Sequence, residues 1–161
     1  MGPEELEEIL AILRSTSERL RQLTAGLPNE AYTWKPSADR WSMTENVCHL
    51  RDIEHEGYNV RIQRIATEDT PILPDIDGTQ LAIDRKYNEQ NLDQAIAAFD
   101  TARAKNIELI TGYPEATLSR IGTFEDFGDM TLAGLLEIMV EHDHGHVSDI
   151  EKLVKGFAAT R

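Results

Sequence analysis

The chain has 161 residues, a length that suits one domain, and 40% of them are apolar, as is ordinary for a globular protein. Its 29 acidic residues outnumber the 16 lysines and arginines, which gives a formal net charge of −13. Because a protein that binds nucleic acid or an anionic membrane needs a basic surface, and none is clustered here, we expect neither partner.

The sequence carries no recognisable segment for export or membrane insertion. Its first residues, MGPEE, are acidic where a secretory signal needs positive charge, and no apolar run approaches the roughly 18 residues of a membrane span. Cys48 is the single cysteine, so no disulfide can form within the chain. Together these features predict a cytoplasmic protein.

Four segments have the three- and four-residue apolar spacing that is typical of amphipathic helices. Each begins at a residue that favours a helix start, namely Pro3, Ser42, Asn91 and Thr131. The start at Ser42 is a capping box, Ser42-Met43-Thr44-Glu45. The predicted helices end near residues 26, 67, 112 and 156, three of which are glycines.

The three connections, residues 27–41, 68–90 and 113–130, are predicted to be irregular, apart from a short helical piece around Leu81–Tyr87. We find no convincing strand alternation. Four helices with apolar stripes predict an all-α four-helix bundle that forms one domain over residues 1–161. The connections exceed the 2–8 residues usual within bundles, which indicates functional loops or crossovers.

The run Glu141-His142-Asp143-His144-Gly145-His146 lies in the last predicted helix. Residues four apart share a helical face, so His142 and His146 point the same way, whereas His144 is turned by about 200°. The pair continues the apolar stripe of this helix and should therefore face the interior. A buried imidazole needs a hydrogen bond or a metal, so the pair is either two satisfied core histidines or two metal ligands.

His49 provides a possible third ligand from the first turns of the second helix. If the second and fourth helices are antiparallel neighbours, His49 can meet His142 and His146, although the sequence leaves that pairing open. Three imidazoles without a fourth protein ligand would leave a metal with a position for water or substrate. That arrangement is typical of a catalytic site and not of a structural one.

Two stretches resemble the DinB-like proteins, a family named for a DNA-damage-inducible gene. The stretch from Trp41 to Glu54 (WSMTENVCHLRDIE) is similar to the W-S, E, H-L, D and E pattern that opens the family's second helix. The run from Gly122 to Leu132, followed by residues 142–146 (HDHGH), is similar to its closing H-x-x-x-H helix. The resemblance spans nearly the whole chain, and Tyr87, Phe99 and Arg103 add to it.

The resemblance implies a four-helix bundle, often a homodimer, that binds one divalent ion through His49, His142 and His146. Zinc, nickel and iron are all plausible occupants. Related families include thiol S-transferases and an isomerase that use a low-molecular-weight thiol, and many members are described as metal-dependent hydrolases without a known substrate. Asp149 departs from the family, which often carries Gln there, so the specificity of this chain could differ.

Other polar side chains have simpler interpretations. Cys48 lies about 100° from His49 around the helix and is interpreted as a small core residue. His55 is assigned to the surface or to a contact with a loop, and Asp143 to solvent or a neighbouring helix. Glu45 could orient His49, but we favour its role in the capping box.

Two classes of function are consistent with these residues. The leading hypothesis is an enzyme whose three-histidine metal site activates a small thiol or water, with thiol transfer preferred to hydrolysis on family analogy alone. The alternative is a non-enzymatic, metal-containing protein that binds a small molecule or serves in a stress response. Trp34 and Trp41 could line a pocket in either case, although aromatic residues at a bundle end are more often core plugs.

Overall fold

The computed structural model describes residues 1–161 and confirms the predicted helical bundle. Its long helices are α1 (Pro3–Thr24), the stretch from Met43 to Thr67, α6 (Leu92–Gly112) and α7 (Leu132–Ala158). The predicted caps form, because the side chains of Ser42, Asn91 and Thr131 each accept a hydrogen bond from the backbone N–H three residues on. None of the helices is long and apolar enough to cross a membrane.

The end predicted for the last helix is wrong by two residues. Gly156 lies inside α7, which continues to Ala158. A Cβ added at Gly156 would lie 3.1 Å from Cη2 of Trp34, so the glycine allows an indole to pack closely on the helix. Close packing, and not a helix stop, therefore explains a glycine at this position.

The second predicted helix is not regular. It consists of α3 (Met43–Asp52), a π-helical turn (Ile53–Tyr58) and α4 (Asn59–Thr67), which follow one another without a break. A π-helical turn contains one residue more than the α-helix it interrupts, so it rotates the following residues by about 100°. It also directs the carboxylate of Glu54 into the protein interior, where this side chain is fully buried.

The connections contain more structure than the sequence predicts. Two short helices, α2 (Asn29–Thr33) and α5 (Gly78–Asp84), and two 3₁₀ turns, at Tyr87–Glu89 and Glu115–Ser119, lie within them. The helix predicted around Leu81–Tyr87 begins three residues early, because the Asp77 carboxylate accepts a hydrogen bond from the backbone N–H of Gln80.

The connections also contain a small sheet, although the sequence shows no convincing strand alternation. It contains β1 (Ile72–Leu73), β2 (Ile121–Phe124) and β3 (Gly128–Thr131), in that order. Strand β1 is parallel to β2, and β2 is antiparallel to β3 with Ile121 opposite Thr131. Segments of two to four residues are too short to display the alternation by which strands are recognised. The sheet ties together the two long connections.

A charged network joins the helices inside the bundle. The guanidinium of Arg103, 2% exposed, donates two hydrogen bonds to Glu54 and two to Asp143, at 2.7–3.0 Å. Its Nη1 also donates to the carbonyl oxygen of Leu13, and Thr16 Oγ1 donates to Asp143. Asp143 thus lies against neighbouring helices, as one part of the prediction allowed, and not in solvent. The network bridges α1, the π-helical turn, α6 and α7.

Candidate metal centre

Helices α3 and α7 pack antiparallel, which brings the three predicted histidines together. His142 Nε2 lies 3.1 Å from His49 Nε2 and 3.2 Å from His146 Nε2. One ligand atom from each ring falls within 4.8 Å of the others, so the trio could hold a metal ion. His144 and His55 are exposed and lie outside the cluster, as expected.

Hydrogen bonds among the rings cannot satisfy this geometry. A neutral imidazole has one N–H, and His142 Nε2 faces two other Nε2 atoms, so a single proton there serves only one of the contacts. Two imidazole nitrogens that each lie about 2.0–2.1 Å from a shared ion are about 3.0–3.4 Å apart at ordinary coordination angles. The observed spacings fall in that range, so the donor set fits a divalent metal.

Asn46 fixes the tautomer of His146. The amide Nδ2 of Asn46 donates to the carbonyl oxygen of Ser42 at 2.8 Å, which leaves Oδ1 as an acceptor. That oxygen lies 2.7 Å from His146 Nδ1, so the proton of this ring is on Nδ1. His146 Nε2 therefore presents an unprotonated lone pair to the cluster, the form in which imidazole binds a metal.

The other two rings are held by packing. Nδ1 of His49 and Nδ1 of His142 are buried without a hydrogen-bond partner. Gly78, the first residue of α5, lies against His49 so closely that an added Cβ would be 2.4 Å from its Cε1 and 2.7 Å from its Nδ1. The indole of Trp41 packs on the same imidazole, with ring centroids 4.8 Å apart. His49 is thus enclosed by α5 and Trp41.

The cluster is uncharged at neutral pH. Burial, with a smaller contribution from repulsion by the neighbouring histidines, lowers the pKa of His49 and of His142 to about 3. Burial also lowers the pKa of His146, against the opposing effect of the carboxylates of Asp149 and Asp143. All three rings are therefore neutral at pH 7 and do not need to lose a proton to bind a metal.

A pocket of about 430 Å³ opens beside the cluster and includes His146 and Asn46 in its wall. Both tryptophans line it, so they are wall residues as well as packing residues. Trp41 stacks on His146 with a centroid distance of 6.1 Å, and Trp34 packs edge-on against Phe157 at 5.9 Å. The charged residues of the wall are Asp39, Arg40, Asp149 and Lys152.

Cys48 and Glu45 lie outside the cluster, as expected. The thiol of Cys48 is buried and faces Gln90 Oε1 at 3.6 Å, and burial raises its pKa to about 11. The carboxylate of Glu45 accepts a hydrogen bond from the backbone N–H of Ser42 at 2.7 Å, which completes the capping box, and another from Lys35 Nζ at 3.0 Å.

Sequence reasoning missed Asn46, Gly78 and the pairing of Arg103. An arginine four residues after Phe99, in an apolar helical stripe, was the one available indication of a buried charge. The roles of Asn46 and Gly78 depend on contacts with α7 and α3 that leave no local pattern.

Comparison with known proteins agrees with this architecture. YfiT from Bacillus subtilis, described as a probable metal-dependent hydrolase with an unusual four-helix bundle topology, has the same fold, with a TM-score of 0.89. It is 18% identical, and the match covers 98% of this chain and 90% of YfiT. A Bacillus licheniformis protein named "Putative metal-dependent hydrolase" is 26% identical over 148 residues, 91% of this chain and 84% of that protein. The model of the DinB superfamily matches residues 12–150, and the chain therefore belongs to that superfamily.

Proposed function

We propose that His49, His142 and His146 bind one divalent metal ion and that the protein is a metal-dependent hydrolase of small molecules. The observation that carries this proposal is the convergence of three neutral imidazoles, without a fourth protein ligand, beside a pocket that His146 lines. The names of the two relatives support hydrolysis over thiol transfer. Zinc, nickel and iron all suit a three-imidazole site.

A divalent ion held by neutral ligands would retain its full charge and could polarise a carbonyl or lower the pKa of a bound water or thiol. The chain's own residues prepare the site. Asn46 directs the lone pair of His146 toward the cluster, and Trp41 covers the rings of His49 and His146 on one side. The pocket volume of about 430 Å³ is that of a small-molecule site.

Asp149 is the residue that we assign to proton transfer. It lies three residues after His146, on the same face of α7, and its half-buried carboxylate lines the pocket. Lys152 Nζ donates a hydrogen bond to it at 2.9 Å, which holds the carboxylate in place at the edge of the pocket. A carboxylate beside the reacting bond is a suitable general base for hydrolysis.

Thiol transfer is the second candidate, and the structure of Cys48 restricts it. That thiol is buried, has a raised pKa and does not line the pocket beside the histidines, so it is not suited to be the nucleophile. A low-molecular-weight thiol would have to supply the sulfur. The homodimer, the cytoplasmic location and the absence of a nucleic-acid partner stay predictions from the sequence.

Metal analysis of protein purified without a histidine tag tests the proposed ligands. We expect one retained divalent ion per chain, which is lost in His142→Ala and kept in the matched control His144→Ala, because His144 is exposed outside the cluster. A wild-type protein that neither retains zinc, nickel or iron nor binds them on titration would contradict the proposal.

Cobalt-substituted protein then separates the chemistries. Hydrolysis predicts turnover of esters or amides, and no thiolate-to-cobalt charge-transfer band when biological thiols are added. The appearance of that band, without turnover of esters or amides, would favour thiol transfer. A protein that binds metal and small molecules but turns over neither class of substrate would be the non-enzymatic alternative.

A further inference from the structure

Arg40 differs from the other arginines of this acidic protein. Ten of the eleven arginines have a carboxylate within 4.0 Å of the guanidinium, and Arg40 is the exception. Its neighbour in sequence is Asp39, yet that carboxylate accepts a hydrogen bond from Ser37 Oγ at 2.6 Å and makes no ion pair with Arg40. The guanidinium is thus exposed, permanently charged and unpaired.

The unpaired arginine lines the pocket beside the histidine cluster. The two acidic residues of the pocket already have partners, since Asp39 is bonded to Ser37 and Asp149 to Lys152. A ligand cation would have to compete with those partners, whereas a ligand anion would meet Arg40 without competition. The charge arrangement therefore favours an anionic ligand group at this edge of the pocket.

The rest of the pocket favours an aromatic or apolar body. Trp34 and Trp41 present their indoles to the cavity, and Trp41 also contacts the rings of His49 and His146. A flat body that lies on the indole of Trp41 would therefore share the pocket with Arg40 and with His146, which line it as well.

We propose that the pocket binds small aromatic or apolar carboxylates, with the carboxylate on Arg40 and the body on the indoles of Trp34 and Trp41. Hydrolysis of a bond beside the histidines rests on the proposed function. The further inference names the substrate class, which is carboxylate-bearing esters or amides. Binding itself depends on Arg40 and the indoles, so it can be measured whether or not metal is present.

Intrinsic fluorescence provides a local reporter, because Trp34 and Trp41 are the only two tryptophans of the chain and both line the pocket. The probes are 3-phenylpropanoate and its uncharged analogue 3-phenylpropanamide, each titrated into metal-free and zinc-loaded protein. We expect saturable quenching by the carboxylate, with an affinity about three- to tenfold higher than that of the amide, as suits one partly exposed charge-assisted pair. The preference should weaken as salt is added.

Substitutions of Arg40 assign the preference to its charge. Arg40→Gln should abolish the discrimination between the two probes. Arg40→Glu should reverse the preferred charge, so that a third probe, the cationic 3-phenylpropylamine, binds more tightly than the carboxylate. Arg14→Gln is the control, since Arg14 is an exposed arginine paired with Glu7 on α1 and does not line the pocket. Equal binding of carboxylate and amide, a preference that survives in Arg40→Gln, or no saturable quenching by either probe would each overturn the proposal. Failure of metal binding alone would leave the metal-free titration unchanged, so the two proposals fail separately.

Discussion

Asn46→Ala tests whether a hydrogen bond from α3 prepares His146 to bind a metal. The substitution removes the 2.7 Å bond to His146 Nδ1 and the 2.8 Å bond to the carbonyl oxygen of Ser42. The Ser42 oxygen keeps a partner, because the backbone N–H of Asn46 also donates to it at 3.1 Å. His146 Nδ1 keeps none, so the ring can rotate or place its proton on Nε2, where it opposes metal binding.

We expect the zinc affinity of Asn46→Ala to fall by about 10- to 100-fold, the usual effect of losing such an outer hydrogen bond, or about 1.4–2.7 kcal/mol. Two lost hydrogen bonds should also lower the free energy of unfolding by about 1–3 kcal/mol. Competition with a chromogenic chelator measures the affinity. Nitrogen-15 spectra of the metal-free imidazoles report the tautomer, which should be protonated on Nδ1 in wild type and mixed in the variant.

Two further variants separate an effect on the position of the His146 ring from a general loss of protein stability. Asn59→Ala removes a buried asparagine whose side chain also makes two 2.7 Å hydrogen bonds, to Asn106 and Gln63, but none to the cluster. It should lower stability while zinc affinity stays unchanged. Asn46→Asp keeps an acceptor for His146 and should keep the affinity. If Asn46→Ala binds zinc as tightly as Asn59→Ala, the reasoning about the tautomer is refuted.

Three other predictions rest on this structure, and a fourth, the dimer, rests on the sequence. Gly78→Ala should weaken zinc binding at least about tenfold, because the added Cβ would lie 2.4 Å from a carbon of the His49 ring. Gly112→Ala is the control: Gly112 has open space around it, so its substitution should leave the zinc affinity unchanged in the same titration. Arg103→Met leaves two buried carboxylates without their cationic partner and should lower the free energy of unfolding, measured by urea denaturation, by about 3–5 kcal/mol. A loss similar to that of a surface substitution would contradict the stabilising role of the network. The metal-free protein should lose stability as the pH falls from about 6.5 toward 3, because His49 and His142 take up protons in the unfolded chain but, with pKa values of about 3, not in the folded protein. His142→Asn should reduce the slope of stability against pH by about 1.4 kcal/mol per pH unit, and an unchanged slope would contradict the burial of a neutral His142. Sedimentation equilibrium should give a dimer, and a single species of 18.2 kDa at micromolar concentration would count against it.

The helices and the histidine trio were predictable because both depend on local spacing. Apolar positions three and four apart, with side-chain caps such as Ser42 and Thr131, define helices whatever their neighbours are. The same spacing places His142 and His146 on one face. The partnership with His49 needed in addition the antiparallel packing of α3 and α7, which the sequence alone left open.

The features that the sequence did not reveal all depend on distant contacts or on an irregular backbone. The strand Ile72–Leu73 exists because it pairs with a segment some fifty residues later, and two residues carry no alternation of their own. Asn46 and Gly78 have no distinguishing neighbours in sequence, and their importance comes from what lies across the helix interface. The partners of Arg103 likewise come from three other elements of the bundle.

The π-helical turn at Ile53–Tyr58 makes this helix sensitive to the gain or loss of a single residue. It holds one residue more than an α-helix of the same rise, so deleting a residue there would restore regular geometry and turn all of α4 by about 100°. Ile62 and Ile65, now fully buried, would leave the core, while His49 upstream would keep its place. Insertions and deletions in this helix are therefore not neutral, and an alignment of relatives that lack the turn should contain a one-residue gap between His49 and Asn59.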